Sequence, residues 1–412
     1  MANKNEDNPY NSTTYKNEWK KHFDPTGESL TIKPIEGPEF IKKGPFSSYK
    51  NNTSNLTLQH FYQIRENELE ELHGKLIIIY DVPSYFNIDH TPFEKLKRSK
   101  HIVINEYEGF LIDLNSFSSI EEYLLDRFSS RKKRAQFRSY IKKLEKSFDI
   151  TYKMYHGEIS RKEYEYLIDC FYELSIKSFD YRKIHNRKLE KKNFLFLKDI
   201  FYQLINEKKA SLFVVFDENL PIGMTLNFNS ETTLFSDSTV YDLDYFKFNV
   251  GTIIMIKQIE WCLSENITTY DFSKGHFQYK ERWCNTVYRF EHHILYDSKI
   301  FAIKTKAFML KIFLNLKQYL REHKVRIFLK DKVFNKKRTE INKFKLINNP
   351  EFNWVKEQAI SLVDFPMLKK PFNDFLYHNG ERKIDTKVYR LKNSDKTYLF
   401  QGTKSSQVIE IN

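Results

Sequence analysis

Between Ser236 and Trp283 lie residues whose types and spacing could hold a phosphate and move a proton. Gly251-Thr252 opens an apolar helical run to Leu263, fed by the polar, aromatic loop Tyr241–Val250. The exposed N–H groups of a helix amino terminus, reinforced by the helix dipole, attract phosphate or pyrophosphate. Lys247, Asn249, Val250, Gly251 and Thr252 are the candidates for that role. Glycine is scarce: between Gly157 and Gly380 only Gly223, Gly251 and Gly275 occur, so each is expected where a Cβ would not fit. Further on, Asp271, Tyr279 and Lys280 place a carboxylate, a phenol and an ammonium on one short stretch. Such a set could take a proton from an acceptor, neutralise developing charge or return a proton to a leaving group, which makes these three the candidate catalytic residues. Asp237, Tyr241, Lys274, Gly275 and Trp283 are the candidate substrate contacts; for Trp283 the other expectation is a core or lid aromatic. Gly275 permits a tight reversal that would bring Tyr279 and Lys280 back toward Asp271. His276 is expected to be exposed, and His292 and His293 alternate across a strand, so the pair cannot face one metal and no metal site is expected.

The elements around these residues follow from periodicity. Ala210–Phe216, Ile222–Phe228 and Thr232–Val240 alternate at period two with turns between them, a meander of three antiparallel strands leading into the loop and helix. Ile267–Phe272 is a further strand, the whole stretch from Asp271 to Trp283 a loop, Asn285–Leu295 a strand and Phe301–Leu320 a long helix. Upstream, Ser118-x-x-Glu121 signals a helix start and Ser130–Phe148 a second helix, with Phe137, Ile141, Leu144 and Phe148 on one face. Its other face carries Arg131, Lys132, Lys133, Arg134, Arg138 and Lys142, either a solvated surface or a dock for an anionic surface or tRNA. Ile150–Tyr155 is a strand, Ser160-x-x-Glu163 caps a helix, and Lys188–Asn206 is another. Before these, a helical piece at Leu69–His73 and strands at Lys75–Tyr80, His101–Asn105 and Gly109–Leu114 suggest a small mixed-sheet unit.

Composition bounds the function classes. A chain of 412 residues with 41% hydrophobic residues can bury several cores. Its 67 basic against 54 acidic residues, net +13, favours anionic ligands: a nucleotide, a phospholipid surface or RNA. Cys170, Cys262 and Cys284 lack metal or redox spacing and read as reduced thiols of a cytoplasmic protein. There is no signal-peptide pattern and no apolar run long enough to span a membrane, so no transmembrane segment is expected.

The order helix, helix, three antiparallel strands, loop, Gly-initiated helix, strand, charged segment, strand resembles a GNAT acyltransferase domain. The blocks Asp237–Asp242, Lys247–Gly251, Asp271–Gly275 and Tyr279–Trp283 behind the basic helix resemble the CelD/BcsL acetyltransferase-like branch of cellulose biosynthesis, itself similar to the FemAB aminoacyltransferases. The resemblance implies an α/β (α+β) fold: a GNAT-like mixed, mostly antiparallel sheet flanked by helices, in two GNAT-like halves. It implies a reduced half 30–117 and a complete acyltransferase domain 118–320; before them lies a segment 1–29 whose polar composition predicts loose packing, and after them an accessory segment 321–412 that the resemblance does not reach. It also implies acyl-CoA, typically acetyl-CoA, as co-substrate, its pyrophosphate at Lys247–Thr252, and a small-molecule, glycan or lipid-linked acceptor in cell-envelope or polysaccharide metabolism. A FemAB-like aminoacyl-tRNA-dependent transferase and a non-catalytic binding module on a degenerate GNAT fold are the alternatives. The usual Arg- or Gln-led, glycine-rich pyrophosphate signature is absent, and a single glycine, Gly251, stands in its place.

Overall fold

The computed structural model describes residues 7–44, 47–52, 59–183, 185–322, 344–347, 356–391 and 396–411. Its centre is the meander β8 (Ala210–Asp217), β9 (Leu220–Asn229) and β10 (Thr233–Tyr241), joined at one edge by β7 (Ile150–Tyr155) and at the other by β11 (Thr269–Lys274). The sheet continues through β6 (Ser99–Asp113), β12 (Thr286–Asp297), β5 (Leu76–Pro83), β3 (Ser48–Asn51), β2 (Ile35–Lys42) and β1 (Ser29–Ile32), while β4 (Gln63–Ile64) pairs β2. One 12-stranded, mostly antiparallel sheet results, and among the described strands only β3–β5 and β10–β11 pair parallel. Because β12 lies between β5 and β6, the strands of residues 30–117 are hydrogen-bonded into the same sheet as the meander. The two strands expected at 101–105 and 109–114 are one strand, β6, broken in register near Glu106.

Helices α4 (Arg161–Arg182) and α5 (Lys191–Asn206) pack on one side of the meander, burying Leu167, Phe171, Phe196, Ile200 and Phe201 against Leu212, Met224 and Phe228. α1 (Thr13–Phe23) joins this core. Tyr10, Tyr15 and Trp19 are each at most 7% exposed within it, which corrects the expectation of loose packing for the described part of the segment, residues 7–29; residues 1–6 lie outside the described residues. On the other side lie α2 (Ile120–Arg127), α3 (Arg131–Ser147) and α6 (Val250–Ser264). α2 is capped one residue later than the sequence pattern suggests: Ser119 accepts the Glu122 N–H, and the Glu122 carboxylate takes the Ser118 N–H and hydroxyl. α3 buries Phe137 and Leu144 as expected and leaves Arg131, Lys132, Arg138 and Lys142 exposed.

After β11 the chain is not loop throughout: Gln278–Trp283 form a short helix, α7. α8 (Phe301–Glu322) then covers β6 and β12. Beyond it, the described part of the accessory segment is a structured unit. A 5-stranded sheet, β13 (Phe344–Ile347), β17 (Ser406–Ile411), β16 (Thr397–Gln401), β15 (Lys387–Leu391) and β14 (Lys356–Ala359), accompanies α9 (Lys369–Asn379). Leu368, Phe372, Phe375 and Leu376 share a core with Tyr245, Phe248, Val250 and Ile254, so this unit packs on the loop that enters α6.

Candidate functional site

β10 and β11 pair through only three residues, Thr233–Phe235 with Thr269–Asp271, and then separate. β10 continues to Tyr241 held by β9 alone, with a register break between Ser236 and Ser238. β11 leaves because its own backbone bends. The Asp271 carboxylate accepts the Ser273 N–H at 2.6 Å, Ser273 sits at a left-handed φ of 60°, and the register with β6 breaks between Asp271 and Lys274. A strained non-glycine residue held in place by a buried side chain is the kind of feature that clusters at functional sites.

A cavity of about 310 Å³ occupies the opening. One wall is Phe235–Val240, the opposite wall Phe272–Lys274 with Phe277, Tyr279 and Lys280, and the α4–α5 connection closes it through Lys188. Of the sequence candidates, Asp237, Lys274, Tyr279 and Lys280 line this cavity. Asp237 is held by Lys188, whose ammonium also reaches the Ser238 hydroxyl. The Lys280 ammonium donates to the carbonyls of Phe272, Ser273 and Lys274, which β10 no longer serves. Burial brings its pKa down to about 8. Tyr279 makes no hydrogen bond among the described residues, and desolvation holds its phenol up at about 12. Lys274 donates to the Tyr107 hydroxyl at 2.9 Å.

Asp271 lies behind the cavity wall and is fully buried. It accepts hydrogen bonds from Gln59, Tyr85 and Tyr288 besides the Ser273 N–H. Desolvation nevertheless wins over these donors and raises its pKa to about 6. Gln59 and Ser273 stand between it and the cavity, and their Oε1 and Oγ are buried without a hydrogen-bond partner among the described residues.

Gly251 lies on the face carrying α6. A Cβ there would come within 3.1 Å of the Tyr241 ring, so the glycine serves close packing. Asn249 turns the chain into α6 at a φ of 56°, the helix start has no side-chain cap, and the Asn249 carbonyl takes the Thr252 and Ile253 N–H groups, which leaves those of Val250 and Gly251 for a ligand or water. Lys247 is exposed beside it. Trp283 is not at the cavity: α7 turns it inward against Phe128 and Phe137, and its carbonyl accepts the Tyr123 hydroxyl, so the core expectation holds. Gly275, at a φ of 105°, makes the expected reversal. His276 is exposed between Glu108 and Glu281.

Sequence reasoning missed Lys188, Tyr10 and Gln59. Lys188 looked like the first residue of a helix, but Arg187–Leu189 is a separate turn and α5 starts at Lys191. Tyr10 and Gln59 come from segments with no periodic signal, and only the fold brings them to the cavity.

Residues 131–281 match the model of the Acetyltransferase (GNAT) domain, a span running from α3 to α7 and containing both walls of the opening. The match spans 131–281 of the 412 residues, and the fold is that of GNAT-like proteins over this span. Among solved structures this chain bears weak likeness to L-PGS from Bacillus licheniformis, with a TM-score of 0.42, 14% identity and coverage of 73% of this chain and 96% of that one. It bears a similar likeness to a conserved protein of unknown function from Bacteroides thetaiotaomicron, with a TM-score of 0.42, 11% identity and coverage of 70% and 91%. FemX gives a TM-score of 0.42, 12% identity and coverage of 62% and 83%. No curated protein sequence matches this chain.

Proposed function

We propose that this protein is a GNAT-type acyltransferase that takes an acyl group, typically acetyl, from acyl-CoA and passes it to an amine or hydroxyl held in the cavity between β10 and β11. The parting of these strands carries the reading. It leaves the edge of Ser236–Tyr241 without a strand partner, where an extended, amide-bearing donor arm can take up the backbone hydrogen bonds. The uncapped start of α6, with Lys247, Asn249 and the Val250–Thr252 backbone, would receive the donor's pyrophosphate. In this reading Asp237, steadied by Lys188, holds an acceptor amine, Tyr279 supplies a proton to the leaving thiolate, and the proton the amine loses on acylation passes to solvent, from which Tyr279 is reprotonated. Lys280 holds the β11 wall and puts positive charge near the developing oxyanion. Asp271 does not reach the cavity and acts as a positioning residue, setting the bend at Ser273. Residues 30–117 would be a reduced GNAT-like half, supported by their own parallel pair β3–β5.

Thermal unfolding with acyl-CoAs tests the donor. A ligand at about 100 times its Kd should stabilise by roughly 2.7 kcal/mol. Gly251→Val should abolish that gain while circular dichroism shows the fold retained. Stabilisation by aminoacyl-tRNA and not by any acyl-CoA would overturn the donor assignment.

A further inference from the structure

The outward face of α8 is apolar along most of its length. Phe308, Met309, Ile312, Phe313, Leu316 and Leu320 are 43–65% exposed, although their spacing of three and four residues is that of a buried stripe. The opposite stripe, Ile303, Ala307 and Leu314, already packs on β6 and β12, so the outward residues form a second face. At 100° per residue, Lys304 and Lys311 fall on one shoulder of that face and Lys317, whose ammonium lies 3.5 Å from the Glu106 carboxylate and is 44% exposed, on the other. Across the helix there are five basic residues, Lys304, Lys306, Lys311, Lys317 and Arg321, and one acid, Glu322.

We infer that α8 docks this protein on an anionic lipid surface. An apolar face with phenylalanines and leucines, bordered on both sides by lysines, is the pattern of a helix lying in the plane of a bilayer interface. The rings and aliphatic chains enter the acyl boundary, and the lysine stems lie along it with their ammonium groups at the phosphates. The lysines decide the occupant. A second copy of the same face would bring lysine shoulder against lysine shoulder, whereas lipid phosphates complement both shoulders at once. No helix among the described residues is long and apolar enough to cross a membrane, so the contact is at the surface. Two side chains separate the last turn of α8 from the cavity: the Arg321 guanidinium lies 5.2 Å from the Tyr107 ring, and Tyr107 is the hydrogen-bond partner of the cavity-wall residue Lys274.

Co-sedimentation of the full chain with vesicles of phosphatidylcholine alone, and of phosphatidylcholine mixed with phosphatidylglycerol, tests this. The chain should bind the mixed vesicles and release them at high salt. The double variant F308E/F313E should lose about tenfold or more in binding with its melting temperature preserved, since both side chains are exposed. K304E should lose roughly fivefold on the mixed vesicles alone. Failure of the parent chain to bind, or equal binding by F308E/F313E, would overturn the proposal. So would a parent chain that is dimeric in solution without binding vesicles and becomes monomeric in F308E/F313E, which would assign the face to a second copy.

Discussion

The sheet contains two parallel seams that end differently. Between β3 and β5 the pairing covers Ser48–Lys50 with Leu76–Ile78, and one residue further on the buried side chain of Asn51 continues it. Its amide donates to the Tyr80 carbonyl at 3.2 Å and accepts the Tyr80 N–H at 2.9 Å, so a side chain stands in for the next backbone pair and the seam stays shut. Between β10 and β11 the pairing is equally short, but the groups that follow pull apart. Asp271 turns β11 at Ser273, and the Lys280 ammonium takes the freed carbonyls. A parallel pair thus opens into a cavity when its stranded backbone groups find partners outside the seam, and closes when a side chain spans it. That contrast locates the candidate site in the second seam on physical grounds.

The largest expected effect is on Asp271 and Lys280. Asp271→Asn and Lys280→Met should each lower turnover by on the order of 10²-fold with donor affinity little changed, read from kcat and the donor KM. Asp271 also separates activity from folding. Its folded pKa, about 6, lies above the ordinary value of 3.8, so the stability it contributes is present below pH 3.8 and is lost as pH rises through 6. Asp271→Asn should therefore be at least as stable as the parent at pH 7 while turning over far more slowly; an equally active variant would remove Asp271 from the opening of the seam. In the parent, kcat/KM should rise with pH through about 6 and fall again near 8 as Lys280 loses its proton, and Asp271→Asn should abolish the acid limb.

A smaller effect is expected at the closed seam. Asn51→Ala leaves the Tyr80 N–H and carbonyl without that partner and should destabilise by about 1–3 kcal/mol in urea unfolding, with kcat of the folded enzyme unchanged. If turnover falls as well, the two seams are mechanically coupled and the contrast drawn between them is too sharp. The smallest effect is expected at exposed Lys247, where Lys247→Ala should raise the donor KM a few-fold, about 0.3–1 kcal/mol, and less at high salt.

How much of this was legible before folding varies with the range of the interaction. The meander, the helix begun at Gly251, the reversal at Gly275 and the apolar face of α3 are written in periodicity and in single residues, because hydrogen bonding and amphipathic burial repeat over a few positions. The same local rules misplaced the α2 cap by one residue, where two serines stand side by side, and passed over α7, which is only 6 residues long. They also treated 1–29 as loose, since the orientation of Tyr10, Tyr15 and Trp19 is set by what α1 packs on. By itself the sequence determined the order of elements, the basic charge and which segment carries the carboxylate, phenol and ammonium. Tertiary structure alone decided that Asp271 is sealed behind Gln59 while Lys188 and Tyr10 reach the cavity, because those contacts join residues separated by about 50 to more than 200 positions along the chain. No local pattern encodes a partner at that distance, and the burial that sets the Asp271 and Lys280 pKa values exists only once the strands on either side are in place.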